Sequence, residues 1–157
     1  MIEQIYTYFT VEMIFMWLNI GVLPFWLVLI IFPQSQICRV FITSIFPILI
    51  LSLVYGYLLY IFFKEDYNFI RNFELYLGLD AVGNLFTDKA FIILFWLHFL
   101  TINLFCGGWM VKDSQKFGIN KILLSFPLLI IYFIGPIGLS LYWIIRIFYA
   151  KRINLYD

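Results

Sequence analysis

The chain has 157 residues, of which 64% are hydrophobic and 12% charged, and its formal net charge is +1. A soluble domain carries about a quarter charged residues, so this chain lacks the charge to coat a water-facing globule, and a bilayer is its expected solvent. A near-neutral balance with no Lys- and Arg-rich segment argues against nucleic acid as a partner.

Four uncharged runs follow in chain order, at 13–32, 40–63, 90–111 and 122–145. Each holds about 20 or more residues, enough at 1.5 Å rise to cross the ~30 Å hydrocarbon core. In lipid only helices and closed barrels satisfy their own backbones, and these runs lack the alternation of barrel strands. The expected fold is all-α: a single integral membrane domain over 1–157, built as a bundle of four transmembrane helices. Its expected place is a bacterial cell membrane, or a plastid membrane in a phototrophic eukaryote. Between the second and third runs, Phe69, Phe73, Tyr76 and Leu77 recur at helical spacing. This pattern predicts a short amphipathic helix lying on the membrane interface, with a lid over a binding site as the alternative.

Four crossings put both chain ends on one side, together with Lys64, Arg71, Lys89, Arg146, Lys151 and Arg152. Arg39, Lys112, Lys116 and Lys121 then fall on the other. The larger count and the dense 112–121 loop point in opposite directions, so basic-residue bias does not choose an orientation.

The polar residues inside the runs are the candidates for function, because polar groups at that depth are costly. The first run carries Asn19, Pro24 and Trp26; the proline predicts a kink and a freed carbonyl. The third carries Trp96, His98, Asn103 and Trp109 and closes on Lys112 and Asp113. His98 and Asn103 lie within roughly 4 Å of the expected midplane. A neutral imidazole donates one hydrogen bond and accepts one, which suits a proton shuttle. The five residues between His98 and Asn103 turn a helix by about 140°, so the two point apart. Asn103 shares a stripe with Trp96 and Gly107, and His98 one with Thr101, Phe105 and Trp109. If the first and third helices start on the same side, Asn19 and His98 sit at similar depth and can meet. The plainer alternative is that each polar group ties its helix to a neighbour. The fourth run holds Pro127 and the string Gly135-Pro136-Ile137-Gly138. That string predicts a kink with close packing or, alternatively, a broken helix whose backbone lines a cavity. Asp80, Asp88 and Asp113 are expected to be solvated. One histidine and no carboxylate within a run give no metal-ligand set, and no glycine-rich nucleotide fingerprint is present. No metal and no cofactor are expected, and Cys38 and Cys106 are expected as free thiols.

These residues, in this order, resemble the ABA-deficient-four-like family over roughly residues 19–146. The resemblance rests on Asn19, Pro24 and Trp26; on Leu85-Phe86 with Asp88; on Trp96 and His98; and on Leu104-Phe105, Gly107, Trp109 and Asp113. It continues through Gly118-Ile119, Pro127, Phe133, Gly135-Pro136, Gly138 and Leu141-Tyr142. The family's plant member is linked to neoxanthin synthesis from violaxanthin. The resemblance therefore implies carotenoid (xanthophyll) metabolism, with the bilayer and a carotenoid or other isoprenoid as partners. The implied chemistry is a cofactor-free isomerisation of an epoxide to an allene. It would use His98 as the catalytic acid–base group and Asn19, Trp26, Trp96, Asn103, Trp109 and Asp113 as substrate-binding residues. The family pattern places an aspartate where this chain has Asn103, and an amide does not titrate. A protein that binds carotenoid or lipid without converting it is the alternative, ahead of a small transporter subunit.

Overall fold

The computed structural model describes residues 10–154, and all regular structure among them is helical. Helix α1, Val11–Ile31, begins where the Thr10 hydroxyl accepts the Met13 N–H at 3.3 Å, an N-cap that satisfies one free donor. It continues through Pro24. Helix α2, Phe46–Lys64, starts later than the expected 40. The residues before it form a π-helical turn, Cys38–Ile42. There the Thr43 and Ser44 hydroxyls donate to the carbonyls of Arg39 and Phe41, at 3.1 and 2.7 Å. Such side-chain bonds compete with helix propagation.

The connection after α2 holds a 3-10 helix, Phe69–Tyr76, and a short helix α3, Leu79–Leu85. The predicted amphipathic helix over this stretch is thus a tighter 3-10 turn. Ile70, Phe73, Tyr76, Leu77 and Leu79 are all exposed. Helix α4, Lys89–Lys116, is capped by the Asp88 carboxylate, which accepts the Ala90 N–H at 2.9 Å. It ends at Gly118, whose φ of 64° is the left-handed conformation that glycine adopts freely. Gly118 and Ile119 donate their N–H groups back to the carbonyls of Gln115 and Ser114, the paired pattern of a Schellman ending. This turn sends the chain into helix α5, Lys121–Phe133, capped by Asn120, and then helix α6, Gly135–Ala150.

Helices α1, α2 and α4 are long and apolar enough to cross a membrane. The fourth expected span, 122–145, is corrected: it is two helices that fold back on each other. Ile134 between them is non-helical, with φ −136° and ψ 80°. Gly135, at the start of α6, packs against Asn103 of α4. Tyr142 and Arg146, further along α6, bind Asp113, further along α4. Helix α6 therefore runs parallel to α4. Helix α5 runs antiparallel to α1, with Ser125 bonded to the Ile30 carbonyl at 2.8 Å and Tyr132 edge-on to Trp26. Helix α1 is itself parallel to α4, since Trp26 meets Gly107 and Pro33 meets Gln115. Helices α5 and α6 thus form a hairpin with its tip at Ile134–Gly135.

Local chemistry explains the reversal. Gly138 is pressed against the backbone of Ile131, where a side chain would collide. Pro136 sits in the first turn of α6, where its missing N–H leaves no bond unmade. Ile134 donates its N–H to Ile130 at 2.7 Å and accepts from Gly138 at 3.1 Å, so its own backbone groups stay paired.

The chain divides into two compact units. One comprises residues up to Gly21 with Ile50–Leu100, and its core includes Leu58, Leu85, Ile93 and Leu97. The other comprises Val22–Leu49 and the residues from Thr101 onward, with Leu29, Met110, Leu128, Ile131 and Tyr142 inside. Large apolar side chains, such as Phe63, Phe105, Phe126 and Phe148, face outward.

Candidate functional site

In the first unit, Asn19 is fully engaged. Its amide nitrogen donates to the Phe15 carbonyl at 2.7 Å, and its oxygen accepts the Trp96 indole N–H at 3.1 Å. Phe15 also packs against Trp96, with ring centroids 6.0 Å apart. Asn19 and Trp96 therefore tie α1 to α4, the packing role weighed for them above. Asn19 meets Trp96, not His98. His98 lies on the exposed face of α4, with no hydrogen bond or ion pair to another described residue. Nearby, Lys89 and Glu12 form an exposed ion pair at 2.9 Å.

In the second unit the structure brings Trp26, Asn103, Trp109 and Asp113 to the hairpin. Asn103 sits at its tip and is 6% exposed. The amide oxygen of Asn103 would lie 2.5 Å from a Cβ on Gly135, so the side chain sits where a methyl would push it aside. Its amide nitrogen is buried with no partner among the described residues. Leaving a buried donor unpaired costs about 1–3 kcal/mol, which an acceptor oxygen beside this nitrogen would relieve. Trp26 of α1 is buried against Gly107, which shares the sequence-predicted stripe with Asn103. Its ring would come within 3.0 Å of a Cβ on Gly107, and it meets Tyr132 edge-on at 5.3 Å. Missing side-chain atoms at Gly107 thus make the room that the indole fills.

Asp113 was expected to be solvated; it is instead the anchor of the hairpin's open end. One carboxylate oxygen accepts the Tyr142 hydroxyl at 2.6 Å and the Arg146 Nε–H at 2.7 Å. Arg146 is 1% exposed. It also donates to the Asn154 carbonyl at 3.0 Å, and its guanidinium lies 4.8 Å from the Trp143 ring and 4.9 Å from that of Phe117. Trp109 packs edge-on against Tyr142 at 5.6 Å. The sequence reading missed Tyr132, Tyr142 and Arg146 as members of this constellation. A signal existed: Tyr142 and Arg146 are four apart on one helical face, and Arg146 stands alone among apolar residues.

Cys38, in the same unit, is completely buried, and burial pushes its thiol up to about 11. The neutral thiol's contribution to stability is full below its ordinary value of 9.0 and is lost as pH rises through about 11. The melting temperature of the wild type is expected to fall relative to Cys38→Ala between those values. A constant gap from pH 8 to 11 would contradict the burial.

The family model for ABA DEFICIENT 4-like proteins matches residues 13–142, most of the chain. The chain belongs to the ABA DEFICIENT 4-like family. The protein ABA DEFICIENT 4, chloroplastic, of Arabidopsis thaliana is 27% identical over 99 residues, which cover 61% of this chain and 44% of that relative. The similarity thus spans under half of the relative's length. No solved structure matches. The range shared with the ABA DEFICIENT 4-like family takes in every candidate residue above up to Tyr142; Arg146 lies just past it.

Proposed function

We propose that this ABA DEFICIENT 4-like protein is an integral, multi-pass membrane protein of carotenoid metabolism that binds a xanthophyll through Asn103. The observation that carries the proposal is the buried amide nitrogen of Asn103 at the hairpin tip, which has no partner among the described residues. In an apolar surrounding such a donor gains most from an acceptor oxygen, and oxygen functions are what distinguish a xanthophyll from a hydrocarbon carotene. Trp26 and Tyr132 supply flat apolar surface of the kind that packs a polyene. Membership of the family supports the substrate class, and three apolar helices of sufficient length support the membrane.

Conversion of the pigment is the second reading, and the exposed His98 favours it. An epoxide opens to an allene and a hydroxyl when one proton reaches the epoxide oxygen and another leaves the polyene carbon. The C–O bond breaks, the released C–H electrons form the new double bond, and no oxidant is needed. A lone imidazole on the outward face of α4 is accessible to a pigment dissolved in lipid.

The test is expression in bacterial hosts that make different carotenoids, followed by chromatography of extracts and of the purified protein. Wild-type protein is expected to retain a xanthophyll in preference to a carotene. Asn103→Ala is expected to lower bound pigment about tenfold, the worth of one hydrogen bond made in an apolar site. Equal retention by Asn103→Ala would overturn the binding proposal. A new isomer that disappears with His98→Ala would make the protein an isomerase.

A further inference from the structure

We propose that an open groove at the Gly118 turn binds the phosphate of an anionic phospholipid. The groove has a volume of about 720 Å³, and Gln34, Arg39, Gln115, Asn120 and Lys121 supply its polar wall. No carboxylate lines it. A guanidinium fork and an ammonium on one concave surface, with amide donors between them, match the oxygens of a phosphate. The wall is braced: the Gln115 amide donates to the Pro33 carbonyl at 2.8 Å, and the Asn120 oxygen accepts the Ile122 N–H at 2.9 Å.

Basic residues also predominate in the unit that holds this groove. Arg39, Lys112, Lys116, Lys121, Arg146, Lys151 and Arg152 are seven of the ten Lys and Arg residues in the chain, and all belong to the second unit. Because α6 returns alongside α4, Arg146 reaches Asp113 and Arg152 lies 5.2 Å over the Phe117 ring, beside the turn. Asp113 is the one carboxylate among the described residues of this unit, and it is bound to Arg146. Fixed cations near a bilayer surface attract anionic headgroups.

The neighbourhood points to a lipid source for the phosphate. Ile122 lines the groove and is exposed, and Ile37, Val40 and Phe41 flank Arg39 and are exposed too. A polar pocket with an apolar border fits a headgroup with its acyl chains. This inference rests on the membrane part of the proposed function and is independent of the pigment.

The experiment is native mass spectrometry of the detergent-purified protein with phosphatidylglycerol or phosphatidylcholine. The wild type is expected to retain phosphatidylglycerol roughly tenfold or more above phosphatidylcholine. Arg39→Gln/Lys121→Gln is expected to lose that preference, whereas Lys112→Gln/Lys116→Gln, with the same charge change outside the groove wall, keeps it. All four side chains are exposed, so melting temperatures close to wild type are expected and separate lost binding from lost fold. The proposal is overturned by equal retention of the two lipids or by equal losses in the two double variants. Displacement of phosphatidylglycerol by millimolar inorganic phosphate would overturn the lipid source and assign the groove to free phosphate. Extraction of the protein from membranes by alkaline carbonate alone would instead refute the membrane reading.

Discussion

Gly138→Ala is expected to destabilise the protein by about 3 kcal/mol, the upper end of the cost of overpacking a filled interior. For a chain of this size the melting temperature would fall by roughly 10 °C. The new methyl would be driven into the Ile131 backbone, which moves only if the hairpin opens. Gly135→Ala makes a useful contrast. Its methyl meets the end of the Asn103 side chain, which can rotate away, so a loss below about 1 kcal/mol is expected. Adding Asn103→Ala to Gly135→Ala should remove even that. Thermal melts followed by tryptophan fluorescence would rank the variants. A Gly138→Ala protein that melts with the wild type would refute the close approach of α5 and α6.

Asp113→Asn is expected to cost about 3–5 kcal/mol, because it leaves the buried Arg146 guanidinium without its counter-charge. Arg146→Met alone is expected to be comparably harmful, since it strands the carboxylate beside the Tyr142 hydroxyl. The double variant Asp113→Leu/Arg146→Met replaces the pair with apolar bulk and should recover most of the loss. The measurement is a double-mutant cycle of denaturation midpoints in detergent. Additive losses would mean that the two groups do not act as a pair. Recovery would mean that the ion pair directs the hairpin's placement more than it adds stability.

Much of this architecture could be read from residue order. Three of the four apolar runs correspond to α1, α2 and α4, because an uncharged run of bilayer length has few other ways to satisfy its backbone. The split between His98 and Asn103 was also readable, since helical geometry alone turns them apart. The run 122–145 misled for a physical reason. Mean hydropathy reports the solvent a segment prefers and carries no information about its direction. A hairpin buried in apolar surroundings and a single span look alike by that measure. The distinction lay in two small details, an absent Cβ at Gly138 and an absent N–H at Pro136. The partner of Asn19 was hidden differently. Depth along the helix brought Asn19 near both Trp96 and His98, and only rotation about α4 selected the indole. The Asp113–Arg146 pair was invisible as long as α6 was thought to run away from α4, because Arg146 then sat at the far membrane surface.

The hairpin also bears on how the protein is made. At 1.5 Å per residue, α5 with 13 residues and α6 with 16 reach only about 20 and 24 Å. In the membrane setting proposed above, neither matches the ~30 Å core of a bilayer, and the bend at Ile134 is tolerable at depth because its backbone N–H and C=O are both paired. Asn103 on α4 and Trp26 on α1 brace the hairpin, at Gly135 and Tyr132. Both precede the hairpin in the chain. Translation from the N-terminus therefore delivers these two supports before the segment that packs on them.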